Sequence, residues 1–350
     1  MIKPHSVFLV TTMLVLAVVL SLPGRVRADE AQTLYNQALS QIQQQNHRKA
    51  AESLQAAIHI FPKFAEAHHL LGVISFNSLH NPQQGMDHIK RAVSLHPNFA
   101  RAYLDLGLIY QHQKNVAAAE AALTSAINIY PNYPEARLSL ALLYDQMGDT
   151  SKAIASYRAA LTLQPKHPQA LFNLALLLDQ QKNTKEAQEI SEQLTAAHPR
   201  HTDGWMLLAQ LHEKGNKTDQ AILAYNKAVQ SNANLEEGHY ALGFLHQAKG
   251  QANRAIEEFN QVIRLNPQHA EAHLNLGVLF ANNNQIEEAE KQYKTAISLN
   301  PTLVEAHYNL GVFYEFYRKD PEKALTQYRK YTDLGGNDTR IQKLLKKAGK

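Results

Sequence analysis

Proline returns along this chain at Pro62, Pro97, Pro131, Pro165, Pro199, Pro267 and Pro301, with Ala233 at the one skipped position. The step is 34 residues, apart from one of 35 between Pro62 and Pro97. Self-similarity at this period is what stacked helix pairs produce, because each pair can bury its apolar face only against its neighbours. A length of 350 residues would otherwise suggest two or so globular domains. The repeat instead predicts one elongated domain. With 45% apolar and 19% charged residues, the chain has material for a continuous core.

Alignment on the prolines gives nine units, at 31–64, 65–99, 100–133, 134–167, 168–201, 202–235, 236–269, 270–303 and 304–337. In the eighth, Leu276, Gly277 and Phe280 mark a first helix, and Ala289, Tyr293 and Ala296 a second. Spacings of three and four put each trio on one helical face. The fourth unit repeats the scheme with Leu140, Ala141, Tyr144, then Ala153, Tyr157, Ala160; the third has Leu106, Gly107, Tyr110, then Ala119, Leu123, Ala126. Gly148, Gly215 and Gly250 fall at the turns inside pairs, where a left-handed backbone suits glycine.

Over residues 30–337 this pattern resembles the tetratricopeptide repeat (TPR) family. The resemblance implies an all-α, right-handed superhelical solenoid of nine TPR helix pairs, and Ile341, Leu344 and Leu345 after Asp338 predict a C-terminal capping helix over 338–350. The family's tryptophan slot holds Trp205 in the sixth unit and His68, Tyr103, Arg137, Leu171, His239, His273 or His307 elsewhere. Equivalent positions in stacked units lie a whole helix pair apart, so these histidines cannot converge on a metal. Packing with a polar tip at the surface is the expectation.

Three departures stand out. An extra residue falls near Asn81-Pro82 and another near Asp320-Pro321, and the fifth unit has Ser191 and Leu194 where an aromatic and an alanine are usual. With the missing proline at Ala233, these predict looser packing and a softer joint between residues 185 and 240.

The resemblance also implies that the first helices line a concave groove. The groove series reads Asn36, Leu70, Asp105, Ser139, Asn173, Leu207, Ala241, Asn275 and Asn309. In the repeats of O-linked N-acetylglucosamine transferase, to which these units are similar, such asparagines form a ladder gripping an extended peptide backbone. An amide suits this because it donates and accepts together. The position before each gives Tyr35, His69, Phe172, Tyr240 and Tyr308, an aromatic side to the furrow. The candidate ligand-binding residues are Asn36, Asp105, Asn173, Tyr240, Asn275, Tyr308 and Asn309. Glu66, Glu135, Asp203, Glu237, Glu271 and Glu305 begin successive first helices, where the helix dipole accounts for acids and a neutral or basic guest would be favoured.

Residues 1–28 read as a signal peptide or N-terminal anchor: Lys3, an apolar run from Val7 to Leu20, Pro23-Gly24, then Val26-Arg27-Ala28. Both readings predict a periplasmic or secreted location, the second with membrane attachment through this segment alone. The formal charge of +4 reflects that leader. Without Lys3, Arg25 and Arg27, 32 basic residues face 31 acidic ones; without the five cations from Arg340 onward, 27 face 31. The repeat body offers no basic face for nucleic acid.

The chain has no cysteine, hence no disulfide or thiolate site, and it shows no nucleophile elbow, His-Glu-x-x-His or phosphate-cradling loop. No cofactor is implied. The expected function is a non-enzymatic scaffold or adaptor binding an extended segment of a partner protein in envelope assembly. Two alternatives stand beside it: an accessory factor holding envelope polysaccharide or lipid, and a homo-oligomeric structural protein.

Overall fold

The computed structural model describes residues 24–349. The leader's apolar run lies outside the described residues, and Val26, Arg27 and Ala28 lie inside the first described helix. Among the described residues every regular element is helical, and the chain divides between Ala170 and Leu171 into two compact units.

In the first unit, α1 (Gly24–Gln43) pairs with α2 (His47–Ile60), α3 (Ala65–Asn77) with α4 (Pro82–Leu95), α5 (Ala100–His112) with α6 (Val116–Ile129), and α7 (Pro134–Gln146) with α8 (Thr150–Leu163). The break falls inside α9 (Pro168–Gln180), after which come α10 (Thr184–Ala197), α11 (Thr202–Lys214), α12 (Thr218–Ser231), α13 (Glu236–Ala248) and α14 (Ala252–Leu265). α15 (Ala270–Asn282), α16 (Ile286–Leu299), α17 (Val304–Phe313), α18 (Pro321–Asp333) and α19 (Thr339–Ala348) complete the second unit. The protein is thus an all-α solenoid of stacked helix pairs.

Each second helix stops before the proline position because the residue preceding a proline is pushed out of the helical region. His96 (φ −133°, ψ 84°) and Tyr130 (φ −129°, ψ 89°) show it. Asn232, before Ala233, keeps the same backbone at φ −143°, ψ 98°. Its side-chain oxygen accepts from the Asn234 N–H at 3.1 Å, the same Asx turn that Asn266 and Asn300 make ahead of Pro267 and Pro301.

Within pairs, one residue per turn is left-handed. Gly148 (φ 74°) and Gly250 (φ 70°) take that place as expected. Gly215 does not: its φ is −85°, and Asn216 (φ 55°) beside it supplies the turn. Asparagine tolerates this region through its short polar side chain. The turn normally closes with an N–H reaching five residues back, as from Asn115 to the Tyr110 carbonyl at 2.9 Å. Both extra residues lengthen that closure to six: Asn81 to Ser75 and Asp320 to Tyr314, each at 2.8 Å. In the ninth pair the insertion appears as a π-helical turn at Tyr314–Arg318, the usual form of one added residue in a helix.

The polar tip of the tryptophan slot is bonded to the carbonyl six residues upstream, at the surface for Trp205 and Arg137 and buried for His68 and His307. Trp205 Nε1 donates to the Pro199 oxygen at 2.9 Å, Arg137 Nη2 to Pro131 at 2.8 Å, and the His68 and His307 Nε2 atoms lie 3.2 and 3.1 Å from the Pro62 and Pro301 oxygens. The other ring nitrogen meets the second helix: His68 faces His88 at 2.9 Å, His273 faces Gln292 at 2.6 Å and His307 faces Gln327 at 2.9 Å. His68, His273 and His307 are buried, and a donor in the slot satisfies a turn carbonyl, which Leu171 in the fifth unit cannot do.

Close approach of the two helices of a pair depends on a small residue in the first. A methyl carbon on Gly277 would lie 2.7 Å from the Tyr293 ring, and one on Gly107 equally close to Leu123. In the fifth unit, Leu194 at the alanine position is fully buried and accommodated by Gly204 of the next helix, where a Cβ would fall 2.8 Å from Leu194 Cδ2. Leu194 therefore fills its site, and the fault left there is the buried Ser191 hydroxyl, which has no hydrogen-bond partner.

Asp338 starts the terminal helix by accepting from the Arg340 and Ile341 N–H groups at 2.7 and 3.1 Å. Ile341 is fully buried against the last pair, with Leu344 and Leu345 beside it. Arg340 fixes the seat, donating to both Glu315 oxygens at 3.0 Å and to the Tyr328 hydroxyl at 3.2 Å.

Two outcomes are expected. Since the backbone at Asn232 already has the pre-proline conformation, Ala233→Pro should stabilise the chain by about 0.4–1 kcal/mol, read as a raised midpoint in denaturant. Burial pushes the His68, His88 and His212 imidazoles below their ordinary value. Below about pH 6.5 the unfolded chain binds protons that these folded rings refuse, so stability is present above that pH and lost as pH falls. Thermal melts at about pH 7.5 and about pH 5.5 should show it, and His88→Gln, which copies the Gln partner of the other slots, should flatten the dependence.

Candidate functional site

The residues placed along a groove by the sequence all sit on first helices. In the first unit Asn36 is exposed on α1, its oxygen accepting from Gln32 Nε2 at 3.0 Å. Asp105 on α5 is engaged: its side chain is 13% exposed, with Oδ2 accepting from His69 Nε2 at 2.7 Å and Arg101 Nε at 3.1 Å. The Asp105 carboxylate holds the Arg101 guanidinium above its ordinary pKa, so this cation is already matched.

In the second unit Asn173 on α9 is half-buried and already engaged. Asn275 on α15 donates from Nδ2 to the Tyr240 hydroxyl of α13 at 3.3 Å. Tyr240 is half-buried, stacked on His269 (centroids 4.8 Å, 23°) and edge-on to Phe259 at 5.7 Å; burial raises its pKa. Tyr308 on α17 leans on Tyr331 at 5.3 Å, and Asn309 Nδ2 donates to the Glu305 carbonyl of its own helix at 2.9 Å.

His69 with Asp105 and Tyr240 with Asn275 obey one rule. The residue just before a groove position on one first helix hydrogen-bonds the groove residue on the next first helix. At these two places the groove residue and the ring before it hold each other instead of facing across a furrow. Asn275 and Asn309 spend a donor inside the protein, which leaves their side-chain oxygens to receive the N–H groups of a guest backbone.

One turn further along, at the spacing that keeps the same face, the sequence reading missed a row of mainly aliphatic and aromatic side chains, interrupted on α11 by the exposed Gln210. Phe244 is 56% exposed and Leu108 42% exposed, while Leu176, Val278 and Val312 are half-buried. The signal was an offset of three residues from the asparagines. One turn the other way, Asp203, Glu237, Glu271 and Glu305 are exposed on the same face. Beyond the apolar row, Lys214 of α11 reaches back to Asp179 of α9 at 2.5 Å.

The chain has no cysteine, and among the described residues no three His, Asp or Glu side chains converge as a metal site.

Sequence models described as tetratricopeptide repeat match residues 32–63, 98–166, 146–211, 202–235, 240–303 and 279–339. No curated protein matches the chain. Among solved structures, YrrB, described as a TPR protein with an unusual peptide-binding site, is 25% identical, with a TM-score of 0.49 over 54% of this chain and 97% of its own. PilF of Pseudomonas aeruginosa is 21% identical (TM-score 0.47; 67% of this chain, 99% of its own), and a MamA protein 19% identical (0.45; 49% and 94%). These matches are to the repeat and establish no particular relation to O-linked N-acetylglucosamine transferase.

The Tyr240–Asn275 contact can be weighed directly. A double-mutant cycle with Tyr240→Phe and Asn275→Ala, read by chemical denaturation, should give a coupling of about 0.5–1 kcal/mol.

Proposed function

This chain belongs to the tetratricopeptide repeat family, and on that footing we propose that it is a non-catalytic adaptor holding an extended segment of a partner protein against its first-helix face. The observation that carries this reading is the face of the second unit. Acids, groove residues that include Asn275 and Asn309, and the apolar Phe244, Val278 and Val312 lie in three successive rows along α13, α15 and α17, with Phe244 more than half exposed. An apolar row flanked by unspent amide oxygens suits a chain that offers both side chains and backbone N–H groups.

The adaptor works outside the cytoplasm, in the assembly of envelope structures. The leader-like composition of residues 1–28 motivates this placement, and no described helix is long and apolar enough to cross a membrane. The partner is a protein rather than a nucleic acid, since the repeat body carries more acids than cations.

A photo-crosslinking residue at Phe244, compared with one at Leu223, the 61%-exposed position on a second helix, tests the reading in the producing cell. The Phe244 position should yield one defined protein adduct that the Leu223 position does not. Asn275→Ala with Asn309→Ala should reduce that adduct several-fold while leaving helicity unchanged. Equal labelling from both positions, or an adduct indifferent to the two asparagines, would defeat the proposal. Fractionation of the same cells should place the mature chain outside the cytosol.

A further inference from the structure

The last junction of the stack differs from two that precede it. There the end of a first helix is sealed onto the preceding second helix by a tyrosine: the Tyr144 hydroxyl donates to Glu120 at 2.7 Å and the Tyr314 hydroxyl to Glu290 at 3.0 Å. α18 begins 35 residues after α16, and α19 35 residues after α17, with Ile341 buried at the place of Ala306. On that register Leu325 falls at the place of Glu290 and Gly349 at the place of Tyr314. Neither half of the seal is present, and α18 and α19 part into an open groove of about 360 Å³. Ala324, Leu325, Tyr328 and Leu344 line it, with the exposed Ala348 at its edge.

The charge around this groove is positive. α19 carries Arg340, Lys343, Lys346 and Lys347 and no acid. Arg340 is matched by Glu315, whose carboxylate also accepts from the Tyr328 hydroxyl. Lys347, which lines the groove, and Lys343, one turn before it, are exposed and form no ion pair among the described residues.

The walls restrict what can enter. Both are helices whose backbone groups are already hydrogen-bonded within them, so an extended chain laid in the groove would bury N–H and C=O groups without partners, whereas a helix satisfies its own. A flat bilayer cannot enter a concave groove, and the side chains of α19 that lipid would need, Ile341, Leu344 and Leu345, pack on the last pair. A further pair of the same kind cannot continue the stack, because Lys346 stands at the place of Gly311, where even a Cβ would lie 2.5 Å from the Tyr328 ring.

We propose that this groove docks an amphipathic helix of a partner protein, its apolar stripe on Leu325, Tyr328 and Leu344 and its flanking acids on Lys343 and Lys347. Helix-in-groove recognition reads apolar residues at i, i+3, i+4 and i+7. The helical form of the guest follows from the walls, and its acidic flank from the unmatched cations. The site stands apart from the first-helix face and does not depend on that face binding anything.

The test measures fluorescence anisotropy of labelled alanine-based helical peptides with the full chain. One has Leu at i, i+3, i+4 and i+7 flanked by Glu, the second has the same stripe flanked by Lys, and the third disperses the leucines of the first around the helix. The acidic striped peptide should bind at least about tenfold more tightly than the other two, and salt should weaken it. Leu325→Glu, which copies the residue at Glu290, and Ala348→Trp, which fills the groove from its exposed edge, should each weaken binding about tenfold with helicity unchanged. Lys347→Glu should weaken it about two- to fivefold, and Phe244→Ser should leave it unaltered. The proposal is overturned if the acidic striped peptide fails to bind or is matched by either control, if the folded groove variants leave binding intact, or if Phe244→Ser abolishes it. Vesicles of equal parts phosphatidylglycerol and phosphatidylcholine should not retain the chain. Retention that Lys343→Glu lowers and Leu325→Glu does not would make the cations a lipid contact and overturn the proposal as well.

Discussion

Everything in this molecule rests on a small residue in one helix meeting a bulky one in its partner. Gly72 lies under Ile89, Gly107 under Leu123, Gly243 under Phe259, Gly277 under Tyr293 and Gly311 under Tyr328, each so near that a Cβ would come within 3 Å. Where alanine stands instead, at Ala38, Ala141 and Ala209, the equivalent position of the second helix holds the buried Leu54, Tyr157 or Tyr225, and the fifth unit, with Ser191 there, is the exception. This contact brings each pair close enough for its outer faces to be buried by the next pair, and only the stack as a whole excludes water from them. The groove residues inherit their spacing from it.

Much of this was legible because a strict period converts single-residue signals into a phased series. Prolines, small residues and aromatics marked the pairs, and Asp338 with Ile341 marked the closing helix. What escaped was chemistry in which different residue types do one job. Tryptophan, arginine and histidine in one slot look unrelated until the carbonyl they all reach is seen, six residues back. Asn232 keeps, where proline is missing, the turn that Asn266 and Asn300 make beside theirs, and Asn216 rather than its neighbour Gly215 takes the left-handed place. The π turn at Tyr314–Arg318 shows how an added residue is stored in a helix end, which spacing alone could place near Asp320 but not shape.

The candidate site was read less completely, for a related reason. Sequence spacing finds residues that share a face, yet it does not say which of them hold one another. Asp105 looked available and is enclosed by His69 and Arg101; Tyr240 and Asn275 looked like separate contacts and are bonded together. Such pairings run between first helices some thirty-five residues apart, beyond the range in which periodicity is informative. The exposed Phe244 sits in a row that mixes Leu108, Gln210, Val278 and Val312 with it, so no single residue type marks that face in the sequence.

The fit of Leu194 against Gly204 has an implication for how such a chain can change. A run of alike units invites the idea of interchangeable beads, to be lost or duplicated at will. Here the order is partly keyed: a large side chain on one bead is answered by a hollow on its successor. Excising the 202–235 bead would bring Leu194 to Gly238, another hollow, whereas excising that bead and the one after it would press it onto Ala272. Gain and loss of units along this array are therefore channelled by side-chain size, and its length can drift only along routes that keep lock and key in sequence.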